Sequence, residues 1–209
     1  MVDGTPNTSS PSRAEQASRT RRRLLDTAIE VFADTEFDEV SVADLAQRAG
    51  VSNGLLFRYF GSKRGLYLAA LQVTADRMAA AFVVDESVPT AELLRTCLAR
   101  LVRDLALHRG LALRLILGGR MVDEEAWAVF ETARWRALAS VADALGIDST
   151  SPLAQLVGRA AAGAVDEAIV QWLHNPLALD EHAFVDWLVD LVGAVATTLP
   201  HDTADPSAL

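Results

Sequence analysis

The chain holds a single cysteine and a single lysine, and basic charge is scarce: 19 basic against 28 acidic residues, a formal net charge of -9. One thiol forms no internal disulfide, so a packed core must hold the fold; Cys97, set in a helical apolar pattern, reads as a buried, inert group rather than a redox sensor. No stretch reaches the roughly 18 uncharged apolar residues that span a bilayer. The opening MVDGTPNTSSPSRAEQ lacks the basic-then-apolar order of a signal peptide. These absences predict a soluble, cytoplasmic protein with no membrane partner. Common catalytic motifs are missing too: there is no glycine-rich phosphate loop, no G-x-S-x-G elbow, no H-E-x-x-H and no cysteine and histidine spacing suited to zinc. Asp180, Glu181 and His182 gather acid and imidazole, but at a helix start, where acids are favoured by the macrodipole. The expectation is therefore no enzyme, no metal and no cofactor.

What is present is 209 residues, 51% hydrophobic and 22% charged, enough for a sizeable core. A net charge of -9 argues against a nucleic-acid partner until its distribution is considered. Residues 1–64 carry nine basic and nine acidic residues, so the whole acidic excess lies downstream. Arg13, Arg19, Arg21, Arg22 and Arg23 cluster ahead of the expected first helix. A neutral head with a basic arm, joined to an acidic body, suits a protein that meets DNA with one end.

Residues 1–18, rich in Ser, Thr, Pro and Asn, are expected to form a disordered basic arm. Folding is expected from Arg19, where Leu25, Ala28, Ile29 and Phe32 recur at helical spacing up to Asp34. Ser41 then caps a short helix closed by Gly50, Ser52 caps another, and Gly61 and Ser62 end it and open a longer one to about Phe82. Three helices with a glycine turn between the second and third form a helix-turn-helix unit over residues 19–64. From Pro89 onward every segment reads as helix. The fold class is all-α, about nine helices, with a helical body over 65–200 and a disordered tail over 201–209.

A helix enters the major groove only if its first turn faces the bases while its other face is anchored on its partners. In Ser52-Asn-Gly-Leu-Leu-Phe-Arg-Tyr-Phe60, Leu56 and Phe60 face inward and leave Asn53, Leu55, Arg58 and Tyr59 outward. Asn53 is suited to adenine, Leu55 to a thymine methyl, Gly54 to close backbone approach, and Arg58 and Tyr59 to phosphates or bases. A short surface helix of an ordinary bundle has similar residues, so the order of elements must decide.

The run Leu24-Leu25, Ala28, Phe32, Ser41, Leu45-Ala46, Ala49-Gly50-Val51-Ser52, Gly54, Leu56-Phe57, Tyr59-Phe60, Lys63 and Leu66 closely resembles the N-terminal signature of the tetracycline-repressor (TetR) family, over about a quarter of the chain. The resemblance implies a homodimer, usually a repressor of operator DNA, released by a small-molecule effector bound in the body. Carried over, it implies DNA contacts from Ser41, Tyr59 and Lys63 to phosphates and from Asn53, Gly54, Leu55 and Arg58 in the recognition helix. Ser52 at its cap and Arg21 and Arg22 ahead of the first helix complete the expected set. Leu55 and Phe57 stand where the family commonly has Thr and Tyr. Glu36 stands where it often has glycine, which predicts a strained left-handed residue or a different turn.

For dimerisation the small-residue helix with Leu156, Ala160, Ala164 and Ala168, and the last helix with Phe184, Trp187, Leu188, Leu191 and Val195, resemble half a four-helix bundle. Met78, Phe82, Cys97, Leu101, Met121, Trp127, Phe130, Arg134 and Trp172 are the candidate pocket residues, although aromatic residues at helical spacing are more often core. Arg134 shares a stripe with Trp127, Phe130, Leu138 and Val141; a charge there must snorkel, pair with a carboxylate or meet an anionic ligand, and pairing or snorkelling is preferred.

Overall fold

A computed structural model describes residues 12–122, 124–175 and 179–198, with backbone alone for 118–122. Among the described residues the chain is all-α, with no strand: α1 (Arg13–Asp34), a 3-10 turn (Phe37–Glu39), α2 (Val42–Arg48), α3 (Asn53–Phe60), α4 (Lys63–Ala80), α5 (Thr90–Leu107), α6 (Arg109–Val122), α7 (Glu124–Ala144), α8 (Pro152–His174) and α9 (Glu181–Ala196). It divides into two compact units, Met1–Ala70 and Leu71–Leu209, so the division falls inside α4 rather than at its start.

The first helix begins six residues earlier than expected. Ser12 and Glu15 form a reciprocal capping box, the Glu15 N–H donating to Ser12 Oγ at 3.2 Å and the Ser12 N–H to Glu15 Oε2 at 2.8 Å. That satisfies two donors a helix N-terminus otherwise leaves open. The five arginines therefore stand on a helix, not on an arm. Residues 1–11 and 201–209, assigned above to disordered ends, lie outside the described residues. Glu36 is extended, at φ -62° and ψ 146°, and no described residue other than glycine has positive φ. Thr35, also extended, ends α1, so no strained glutamate is needed.

In the head, Leu24, Ala28 and Phe32 of α1 meet Leu45 and Ala46 of α2, Leu56 of α3 and Leu66 of α4 in a fully buried core. Phe32, Phe37 and Tyr67 add an aromatic cluster with centroids 4.9 to 6.0 Å apart. The turn between α2 and α3 needs the left-handed φ of 63° that Gly50 supplies.

In the body, α9 packs on α5 and α8, and α6 on α7. Ile169 of α8, Leu98 and Leu105 of α5, and Phe184 and Leu188 of α9 are almost wholly buried. Phe184 lies stacked between Trp172 and Trp187, at 4.8 and 6.1 Å. No helix among the described residues is long and apolar enough to cross a membrane.

Candidate nucleic-acid interface and ligand cavity

The two sides of α3 differ as a groove-reading helix requires. Leu56 is fully buried, whereas Ser52, Asn53, Gly54, Phe57 and Arg58 are exposed and Leu55 and Tyr59 are half-buried. Phe57, which apolar patterning groups with Leu56 and Phe60 on the packed face, is instead 48% exposed, an apolar ring on the outward side. Ser52 occupies the N-cap of α3 without a side-chain capping bond, so its hydroxyl stands beside Asn53 and Gly54 rather than closing the helix end. Ser41 does close its helix, its Oγ accepting the Asp44 N–H at 3.0 Å; the hydroxyl hydrogen remains for another acceptor.

Arg21, Arg23 and Lys63 brace this head. Arg21 lies 5.0 Å from the Phe60 ring centre, Arg23 Nη2 donates to the Gly50 carbonyl at 3.3 Å, and Arg22 is exposed beside them. Lys63, for which the resemblance implied a phosphate contact, is bonded within the head itself. Its Nζ donates to the Phe37 and Val40 carbonyls at 2.8 and 2.9 Å and sits 4.2 Å from the Phe37 ring centre. A cation at the N-terminus of α4 opposes the helix macrodipole, and the two carbonyl oxygens offset that. An ammonium has three N–H donors, so one remains. We expect Lys63→Met, which keeps the stem but removes the ammonium, to destabilise the head by about 1.5 to 3 kcal/mol by leaving the turn's carbonyls undonated. Urea denaturation followed at the head's aromatic resonances measures this; an unchanged midpoint argues against the brace.

The body holds a partly open cavity of about 300 Å³ walled by α4, α5, α7, α8 and α9. Of the candidate pocket residues, Met78, Phe82, Leu101, Phe130 and Arg134 line it. Three other candidates do not. Cys97 lies in a core cluster with Leu93 and Val141, where burial pushes its thiol up; Trp172 is taken by its stack on Phe184 and its bond to the Leu179 carbonyl; Trp127 packs against Phe130 outside the lining. The side chain of Met121 lies outside the described residues.

The polar end of the cavity is an ion-pair cluster. Arg134 Nη1 donates to Glu131 at 2.9 Å, Arg134 Nη2 meets Asp166 Oδ2, and Arg159 Nη1 reaches the other Glu131 oxygen at 3.1 Å. Arg134 also lies 4.9 Å from the Phe130 ring centre. Its charge is thus paired, as preferred from the sequence. Of the residues expected at a dimer face, Leu156, Ala160 and Trp187 are exposed and Ala164, Ala168, Leu191 and Val195 half-buried. Phe184 and Leu188 are not available to a partner: four residues apart on α9, both turn into the chain's own core.

Residues 24–70 match the model of bacterial regulatory proteins, tetR family. The HTH-type transcriptional activator FasR of Mycolicibacterium smegmatis is 28% identical over 86% of this chain and 84% of its own length. A tetR-family transcriptional regulator from Streptomyces coelicolor superposes with a TM-score of 0.72, at 25% identity over 86% of this chain and 80% of that one. Residues 24–70 thus carry a TetR-family DNA-binding domain, and the chain is similar over most of its length to TetR-family transcriptional regulators. A second solved structure shares the fold: FadR of Bacillus subtilis in complex with stearoyl-CoA, with a TM-score of 0.64 at 20% identity over 82% of this chain and 96% of that one.

Sequence reasoning missed several residues at the cavity. Trp135 and Asp166 line it, and Glu131 and Arg159 complete the charge cluster. The available signal was Asp166 itself, which with Glu167 puts acid into the small-residue run of α8 that otherwise reads as a dimer face. Burial pushes the Asp166 carboxyl up to about 6 and outweighs the Arg134 guanidinium, which lowers it. The folded body therefore holds a proton that the unfolded chain, at the ordinary 3.8, releases. Stability from this group falls as pH rises from about 4 through about 6, by up to about 2 to 3 kcal/mol. Asp166→Asn is expected to remove that slope. Denaturation of both proteins across this window is the measurement; a wild-type stability, relative to Asp166→Asn, that declines as pH falls has the wrong sign.

Proposed function

We propose that this chain is a TetR-family regulator that binds operator DNA as a homodimer and acts as a repressor released by a small effector held in the body cavity. The observation that carries the reading is the two-sidedness of α3, with Leu56 buried and Ser52, Asn53, Gly54, Phe57 and Arg58 exposed. On this reading Asn53 discriminates bases, Leu55 meets a thymine methyl and Gly54 admits close approach. Arg21, Arg22, Ser41, Ser52, Arg58, Tyr59 and the third N–H of Lys63 hold phosphates. Leu156, Ala160 and Trp187, exposed on α8 and α9, support the dimer face.

The cavity supports the effector. Ala75, Met78 and Ala79, from the C-terminal half of α4, line it, and the same helix begins in the head at Lys63. A dimer reading two half-sites needs its recognition helices about 34 to 36 Å apart or a multiple. A ligand that shifts α4 spoils both contacts together, by no more than its differential affinity, typically ~1 to 3 kcal/mol. The ligand of the FadR complex is a long acyl-CoA; a cavity of about 300 Å³ suits something more compact.

The test is binding to an operator selected from random DNA, by fluorescence anisotropy. Asn53→Ala is expected to cost ~1 to 3 kcal/mol and relax one position of the site. Lys63→Met is expected to weaken binding to all sequences and flatten the salt dependence by about one unit of slope. Equal loss on selected and random DNA for Asn53→Ala would remove it from base reading. Light scattering that finds a monomer at micromolar concentration would remove the dimer.

A further inference from the structure

We infer that the cavity takes an uncharged apolar molecule about the size of two fused aromatic rings, and that Gly158, Ala161 and Ala162 of α8 set that size. The inference rests on the effector reading above and goes further by naming the class of ligand and the residues that select it.

The wall is apolar wherever Met78, Phe82, Leu98, Leu101, Phe130 and Val165 form it. Its polar side chains are Arg134, Trp135, Ser149, Gln155 and Asp166. The guanidinium fork of Arg134 is divided between Glu131 and Asp166, and Arg159 also binds Glu131, so two cations face two carboxylates with no surplus charge to recruit an ion. Ser149 Oγ donates to Asp143 at 3.2 Å, and Gln155 Nε2 donates to the Ser149 carbonyl at 3.4 Å. The indole nitrogen of Trp135 is closed off from solvent and offers an incoming molecule nothing. Those lining residues that are exposed, Leu145, Ile147, Gln155, Gly193 and Ala196, are uncharged as well. A charged ligand would therefore give up hydration here without gaining a counter-charge.

Size follows from α8. Gly158, Ala161, Ala162 and Val165 fall at i, i+3, i+4 and i+7, one face of the helix, and all of them line the cavity. None of the α8 residues expected at a dimer face, Leu156, Ala160, Ala164 and Ala168, does so. The small-residue run thus has two faces, and the second leaves room that larger side chains would close. At Gly158 a Cβ would stand 3.9 Å from Trp135 Cζ3, an ordinary contact, so no clash requires glycine there. An apolar cavity of about 150 Å³ holds one benzene ring. The cavity of about 300 Å³ is twice that.

The test is equilibrium dialysis of the full-length protein at neutral pH against naphthalene, 2-naphthoate, 2-naphthylmethylamine and stearoyl-CoA. We expect naphthalene to bind at least about tenfold tighter than the anion or the ammonium, and stearoyl-CoA not to displace it. Ala161→Leu and Ala162→Leu should each weaken naphthalene by about tenfold or more while the protein melts no lower, because leucine fills the cavity instead of pushing neighbours aside. Gly163→Leu, exposed on the same helix and outside the lining, should bind within about twofold of wild type. Should one cavity variant fail to fold, the other decides. Equal or tighter binding of either ion, displacement by stearoyl-CoA, wild-type naphthalene affinity in both cavity variants, or no binding of naphthalene overturns the inference. Operator affinity measured with naphthalene keeps the two readings apart: a hydrocarbon that binds beside Ala161 and Ala162 yet leaves operator binding untouched upholds the ligand class and sinks the effector role.

Discussion

Gly65→Ala is expected to abolish operator binding and destabilise the head by about 3 kcal/mol or more, although alanine is the better helix former by about 0.8 to 1 kcal/mol. Gly65 is the third residue of α4, and its backbone is ordinary helix; what it lacks is room. A Cβ there overlaps the Phe60 carbonyl oxygen and lies 3.3 Å from the Phe60 carbonyl carbon. Real Cβ atoms stay beyond about 3.0 Å, and the obstacle is backbone, so no rotamer relieves it. The Phe60 carbonyl ends α3, and Gly61, at φ 74°, sets the corner into α4, held by its N–H on Phe57 O at 2.8 Å. Relief therefore means opening the corner that aims α3. Gly54→Ala is the contrast: the nearest atom to its Cβ is Ser52 Oγ at 3.9 Å, so the fold should be unchanged and only surface approach altered. Thermal unfolding and operator anisotropy of both variants decide the matter. Wild-type values for Gly65→Ala would mean that α4 can stand off α3 at little cost.

The head was legible because each of its elements is specified locally. Ser41, Gly50 and Gly61 mark helix ends by their own chemistry, and Leu24, Ala28, Phe32, Leu45 and Leu56 fall at helical spacing and are buried where that spacing puts them. The start of α1 was misjudged because a polar segment without a core face was judged on burial, whereas the Ser12–Glu15 capping box stabilises the end without any burial. The partners of Lys63 were hidden for another reason: backbone carbonyls 23 and 26 residues away have no side-chain signature. In the body, periodicity located helices but not the faces they turn to one another. Phe184 and Trp187 occupy one stripe of α9, yet one is core and the other exposed. The cavity is defined by what five helices leave unfilled, a property of the packing that no single segment carries.

Arg134→Met should destabilise the body by about 3 to 5 kcal/mol, the cost of leaving buried carboxylates without their cation. Glu131 and Asp166 are only 14% and 19% exposed in their side chains, and Arg134 is 14% exposed, so water screens the cluster poorly. Methionine preserves the stem that packs by Phe130 and removes the charge. Arg159, on the exposed side, still reaches Glu131 at 3.1 Å, so Asp166 loses more. Because burial already raises the Asp166 carboxyl, removing Arg134 raises it further, and the damage should shrink as pH falls and Asp166 takes up its proton. The decisive comparison is the triple variant Arg134→Met, Asp166→Asn, Glu131→Gln. A buried ion pair replaced on both sides by neutral groups of similar size is often no less stable than the original, while one broken on a single side is much less so. The triple variant should therefore recover most of the loss at neutral pH, with the single variant approaching it near pH 5. Urea denaturation at fixed protein concentration, so that dimerisation contributes equally, gives the three midpoints. If the triple variant is no more stable than Arg134→Met, the loss comes from packing against Phe130, and the cluster contributes no charge pairing to the body.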